Sequence, residues 1–153
     1  MTASPRLATP PIALGLAGLL PQAACLLLAV ARDEARAAAV VAGGGYAALI
    51  LSFLGGMWWI QPLSRGDARW SPYLLAVAPS LIAWGALVAT LLTAISPSVA
   101  LGVLGVTLLA SPLGDRRVGT LLRDVTGWRG LRLTLSGGLG VLTLLLAVVA
   151  GRG

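Results

Sequence analysis

Residues 70–114 read WSPYLLAVAPSLIAWGALVATLLTAISPSVALGVLGVTLLASPLG and contain no charged side chain. As one helix at about 1.5 Å per residue, this stretch would reach roughly 68 Å, about twice what a hydrocarbon core needs. It must fold back on itself. Ser96-Pro97-Ser98 is the turn signal that divides it, because proline cannot continue the helix before it. The spacing predicts a tight hairpin of two membrane helices, from about residue 72 to 94 and, shorter, from about 98 to 113. The other way to hold such a stretch in lipid is a re-entrant hairpin, which would leave four crossings.

Three further apolar segments flank the hairpin. The first runs over residues 11–31 and is closed by Arg32-Asp33-Glu34. The second runs over 37–60 and ends before Gln61-Pro62, and the last covers 131–150. Each is long enough to cross a bilayer. The expected fold class is all-α: a polytopic membrane protein with five transmembrane helices in a compact bundle. Residues 1–10 read as a short N-terminal tail, 11–150 as one membrane domain and 151–153 as the C-terminal end.

Composition agrees. Apolar types make up 58% of the chain, charged types only 10%, and the mean hydropathy is +0.92. Soluble domains carry about 25% charged residues, so polar side chains are too few here to cover a water-facing surface. The net charge of +6 comes from eleven Arg, no Lys and five acids. These Arg sit in short loops between apolar runs, a placement suited to anionic lipid headgroups and topology rather than to nucleic acid.

With five crossings, Arg6, Arg65, Arg69, Arg116, Arg117, Arg123, Arg129 and Arg132 share one side, against Arg32, Arg36 and Arg152 on the other. The positive-inside bias predicts the N-terminus in and the C-terminus out. Arg-only, Ala/Gly/Leu-rich usage suggests a bacterial inner membrane. Trp58, Trp59, Trp70, Tyr73 and Trp128 all fall at the Arg-rich interface, where an indole N–H stays wet. Between the fourth and fifth helices, Val118, Leu121, Leu122, Val125 and Trp128 recur at helical spacing, with Arg116, Arg117, Arg123 and Asp124 on other faces. This predicts a short interfacial amphipathic helix that anchors the loop or docks an acidic lipid or partner.

The chemistry is mostly exclusion. One Cys and no His rule out an internal disulfide and His ligation of haem or zinc. Cys25 lies in an apolar run that continues to Ala31, and Gln22-Ala23-Ala24 ahead of it is a poor lipoprotein signal, so it reads as a buried small hydrophobe. Asp33, Glu34, Asp67, Asp115 and Asp124 all fall in loops or at helix ends. No intramembrane carboxylate is available for acid–base or proton-relay work, so neither an enzyme nor a cofactor is expected.

Packing signals are richer. Gly44, Ala48, Ser52 and Gly56 recur every four residues on the second helix, as do Ser98 and Gly102 on the fourth and Ser136 and Gly140 on the fifth. Such ridges allow close helix contact in lipid, within the chain or between copies. On the third helix, Pro79 frees a carbonyl one turn earlier, and Trp84 needs an acceptor for its N–H inside the bundle. A freed carbonyl or a hydroxyl would serve, with Ser52 a candidate. Pro21 beside Gln22 interrupts the first helix and could face the same interior.

These residues carry a resemblance. Tyr46, then Ile50-Leu51-Ser52-Phe53-Leu54-Gly55-Gly56 and Trp58, then Pro79-Ser80-Leu81 with Ala83-Trp84, resemble domain of unknown function family 3429, which is itself similar to the mitochondrial transmembrane protein 69. Gly15, Leu20-Pro21, Asp115, Trp128, Leu131-Arg132 and Leu133-Thr134 extend the match, from about residue 12 to 140. Ala47 replaces the glycine that usually follows the family's Tyr. The resemblance implies bacterial membrane proteins of five helices without an assigned activity, and nominates Ser52, Gly55, Gly56, Pro79, Ser80 and Trp84 as the shared signature.

Two functions follow. The first is a non-catalytic scaffold or accessory protein of a membrane complex, bound to membrane lipids and to another membrane protein or to itself. The second is a binder or carrier of a small hydrophobic molecule (lipid, quinone or porphyrin) in a pocket at Pro21, Ser52, Pro79, Ser80 and Trp84. A transporter ranks below both, since five spans do not divide into inverted repeats.

Overall fold

The computed structural model describes residues 7–118 and 125–152, which form helices α1 (Thr9–Ala17), α2 (Leu20–Ala31), α3 (Arg36–Ser64), α4 (Trp70–Leu91), α5 (Pro97–Val118) and α6 (Trp128–Ala150). Taken together, α1 and α2 make one span, so five helical segments are long and apolar enough to cross a membrane. Large apolar side chains cover their outer faces: Leu91 is 82% exposed and Leu14 74%. Only a lipid surround makes such a surface favourable.

Local chemistry explains each break. Pro21 has no N–H to offer the Ala17 carbonyl, so α1 ends at Ala17 and α2 restarts with Pro21 in its first turn. The Gly18 N–H donates to the carbonyls of Gly15 (3.0 Å) and Leu14 (3.1 Å), while the Tyr46 hydroxyl donates to the Gly18 carbonyl at 2.5 Å. Pro21 itself is exposed, contrary to the expectation that it faces the interior; the neighbouring Gln22 is fully buried instead. One residue along a helix is a turn of about 100°, enough to exchange inside for outside. Between α2 and α3, Asp33–Ala35 form a single 3-10 turn, where the Arg36 guanidinium pairs with Asp33.

The α4–α5 turn lies where Ser96-Pro97-Ser98 predicts. Thr93 adopts φ 57°, and the Ala94 N–H reaches back to the Ala89 carbonyl at 2.8 Å, closing α4. Pro97 then opens α5, with the Ser96 hydroxyl accepting the Val99 N–H at 3.3 Å. α5 is not short: it runs 22 residues, past Leu113 through Asp115 to Val118. The reason is that Asp115 is neutralised inside the bundle, so its charge does not end the span. Most of the expected interfacial helix, residues 119–124, lies outside the described residues; of the rest, Val118 belongs to α5, Trp128 to α6, and residues 125–127 are not helical.

α3 is the central element and touches α2, α4, α5 and α6. Leu51, Leu104, Leu108 and Ala47, each 0% exposed, form the middle of the core. A Cβ on Gly55 would lie 2.5 Å from the Ala76 carbonyl oxygen, and one on Gly140 would lie 3.0 Å from that of Gly105. Only glycine lets α3 meet α4, and α6 meet α5, at those points.

The four-residue ridge on α3 is half inside. Gly44 and Ala48 are buried, whereas Ser52 and Gly56 are exposed. A four-residue step advances about 40° around a helix of 3.6 residues per turn, so three steps carry the row from the core to the outside. The buried face instead follows mixed steps of three and four, through Gly44, Ala47, Ala48, Leu51, Gly55 and Trp58. For the same reason Gly102 borders open space and Gly105 makes the contact with α6, while Ser136 and Gly140 are buried as the ridge predicts.

Candidate functional site

A polar cluster lies inside the Arg-rich end of the bundle, built from α3, α5 and α6. The Trp58 Nε1–H donates to Asp115 Oδ1 at 2.6 Å. Arg132 Nε sits 2.8 Å from Asp115 Oδ2, with side-chain exposures of 8% and 22%. The remaining guanidinium nitrogens reach the two serines: Nη1 donates to Ser136 Oγ, and Nη2 to Ser111 Oγ at 3.2 Å. The two hydroxyls are 3.1 Å apart. Ser111 donates to the Leu108 carbonyl at 2.7 Å, the group that Pro112 cannot serve because it lacks an N–H. Ser136 therefore supplies the proton between the hydroxyls. Each Arg132 guanidinium nitrogen and both Asp115 oxygens thus have a partner, which lowers the cost of burying the pair.

Trp58 is thus not part of the wet aromatic belt. It is 6% exposed, and its ring lies so close to Gly114 that any Cβ there would collide with it. Arg132, read as an interfacial charge, is likewise buried. Of the other residues expected in the belt, Trp59 and Trp70 are 44% and 81% exposed, and Tyr73 and Trp128 are half-buried. The Trp59 and Tyr73 rings meet edge to face at 5.1 Å between centroids.

The α3–α4 loop beneath them is tied by Asp67. Its carboxylate accepts from Arg69 at 2.7 and 3.0 Å, and its carbonyl accepts the Tyr73 hydroxyl at 2.8 Å. The Arg69 hydrogen bonds hold the Asp67 carboxyl down at about 2. A depressed carboxyl contributes its stability in full above its usual value of about 3.8, and loses it as pH falls through about 2. The Trp59–Tyr73 contact should therefore keep its fluorescence signature unchanged from pH 7 to 5 and lose it only in strong acid; a transition near pH 4 would show that Asp67 is unpaired.

The nominated signature residues divide. Gly55 and Ser80 lie at the α3–α4 seam, where a Gly55 Cβ would come 3.3 Å from Ser80 Oγ, and Pro79 is buried. Ser52, Gly56 and Trp84 point outward; Trp84 is 66% exposed, and among the described residues no acceptor, Ser52 included, takes its indole N–H. Pro21, Ser52 and Trp84 therefore do not join Pro79 and Ser80 in an interior pocket. A groove of about 330 Å³ opens between α4 and α5, lined by Trp58, Pro79, Ile82, Ser111, Gly114 and Arg117, and Pro79 alone of the expected pocket residues lines it.

Sequence reasoning placed Asp115 and Arg132 at helix ends without pairing them. A signal was present: Ser111 stands one turn before Asp115 and Ser136 one turn after Arg132, so each charge has a hydroxyl on its own face. The buried Gln22 amide, with neither polar atom partnered among the described residues, carried no such signal. Nor does any group of three potential metal ligands gather among the described residues.

Five apolar spans locked at one end by an interior ion pair define a polytopic helical membrane protein. More particularly, the chain belongs to the family DUF3429, described as a protein of unknown function, whose model matches residues 7–149. No curated protein and no solved structure matches the chain, and the comparisons do not show a similarity to the mitochondrial transmembrane protein 69.

Proposed function

We propose that this protein is a non-catalytic scaffold or accessory subunit that docks a transmembrane helix of another membrane protein against the outer side of the α3–α4 seam. The observation that carries the reading is the outward half of the α3 ridge. Trp59 and Tyr73 touch on that side of the seam. From Trp59, Gly56 and Ser52 continue the same row at steps of three and four, and from Tyr73 the row leads through Val77 to Trp84. Gly56 has nothing within 4 Å of a would-be Cβ. A shallow trough of small residues, bounded by two tryptophans, is the shape that accepts another helix in lipid. Trp84 lies seven residues from the end of α4, about 10 Å inside the span. At that depth an unshared indole N–H is costly, and a partner helix would supply its acceptor.

Two further features support the reading. The Asp115 carboxylate is spent on Trp58 and Arg132, so it is not free to act as a base. The arginine distribution favours an N-terminus inside and a C-terminus outside the bacterial inner membrane.

Blue-native electrophoresis of gently solubilised membranes tests the proposal. The wild-type chain should migrate in an assembly larger than a monomer, containing a second membrane protein. Gly56→Leu and Ser52→Leu should release a folded monomer, because a Cβ at position 56 meets nothing within 4 Å and Ser52 is exposed. A monomeric wild type, or an assembly of this chain alone, would sink the idea. So would an assembly indifferent to both substitutions.

A further inference from the structure

We infer that the α4–α5 groove is a binding site for one anionic phospholipid, with an acyl chain against Trp58, Pro79 and Ile82 and the phosphate at Arg117. Its volume of about 330 Å³ accommodates part of a chain rather than a whole lipid, and the groove is open at the side, so the rest of the molecule stays in the bilayer. Lateral openness suits a ligand that arrives through the membrane.

Three features choose the occupant. The walls are apolar apart from a few groups, of which Thr107 and Ser111 spend their hydroxyl protons on Val103 and Leu108. Away from Arg117, a ligand made of acceptors would find no free donor there. Pro79 removes the N–H that would serve the Leu75 carbonyl, and both residues line the groove, which leaves one acceptor for a glycerol or headgroup hydroxyl. Arg117 is exposed at the groove, in the last turn of α5, and has no carboxylate partner among the described residues. Arg65 brings a second guanidinium to the same helix end, donating through Nη1 to the Val118 carbonyl at 3.1 Å. The belt residues Trp59 and Trp70 place this end at headgroup depth. Positive charge at that depth over an apolar groove favours a phospholipid of net negative charge over a neutral lipid or a zwitterionic one, whose own cation offsets its phosphate. The site is separate from the outer side of the α3–α4 seam.

The test uses the full chain with Trp59, Trp70, Trp84 and Trp128 changed to Phe, leaving Trp58 as the sole fluorophore. It is reconstituted in phosphatidylcholine vesicles containing a small fraction of a lipid brominated on its acyl chain. Brominated phosphatidylglycerol should quench Trp58 saturably and at lower mole fraction than brominated phosphatidylcholine. Arg117→Gln should reduce that preference roughly fivefold, the effect of one interfacial charge, and Ala78→Leu, which fills the groove, should abolish the saturable component. Circular dichroism and the elution profile confirm folding of each variant. Should the four substitutions prevent folding, native mass spectrometry of the wild-type and Arg117→Gln proteins with the same two lipids, unbrominated, reads the same preference. Equal behaviour of the two lipids overturns the assignment, as does an Arg117→Gln protein that keeps the full preference. Competition by free oleate at equal mole fraction overturns it as well, because the site would then belong to a fatty acid.

Discussion

Arg132→Leu should abolish most of the folded protein. The substitution leaves the Asp115 carboxylate inside the bundle with only the Trp58 N–H, and strips Ser111 and Ser136 of their shared donor. Removing one partner of a buried pair costs about 3–5 kcal/mol, against a total stability of about 5–15 kcal/mol for a typical domain. In mild detergent the variant should melt far below wild type or aggregate on extraction. The double substitution Arg132→Met with Asp115→Leu should recover much of the loss, since a buried pair contributes little net stability relative to packed apolar side chains. An Arg132→Leu protein that melts with wild type would mean that the pair is hydrated and the cluster is not a clamp.

Gly55→Ala and Gly56→Ala should differ in sign, although the residues are adjacent. The methyl on residue 55 would sit 2.5 Å from the Ala76 carbonyl oxygen, a backbone atom that cannot rotate away, so α3 and α4 must separate. Overpacking of this kind costs about 1–3 kcal/mol. On residue 56 the methyl meets nothing within 4 Å, and alanine is the better helix former by about 0.5–1 kcal/mol. Thermal melts of the two variants in one detergent check this directly. A Gly55→Ala protein as stable as wild type would show that the seam is looser than described.

The reversals between sequence and structure share one cause. Counting the five spans needs only the lengths of apolar runs, and those were legible, including the fold-back at Ser96-Pro97. Which face of a span turns inward is harder, because in lipid both faces are apolar and hydrophobic periodicity fades. α3 has Leu and Ala on its buried side and Leu49, Phe53 and Ile60 on its outer side. Small residues were the remaining guide, and a strict four-residue spacing winds around the helix. Trp84 went astray for a similar reason: an indole N–H deep in a span implies an acceptor, but not whether this chain or another provides it.

The sequence by itself determined the class, the number of long apolar spans, the break before Pro21, the fold-back at Ser96-Pro97 and the end of the bundle that gathers arginine; it did not determine that α3 runs on through Pro62 to Ser64 or that α5 runs on to Val118. The former are set by apolar length, by proline's missing N–H and by the cost of charge in hydrocarbon, all of which act along the chain. Only the tertiary structure decided that Asp115 and Arg132 meet, that Trp58 turns inward to bind them, that Gly55 and Gly140 are the close approaches, and that Ser52, Gly56 and Trp84 face out. Each depends on the rotation and registry of one helix against another, set by close packing across the seams and by the geometry of one buried ion pair rather than by any property of a single segment.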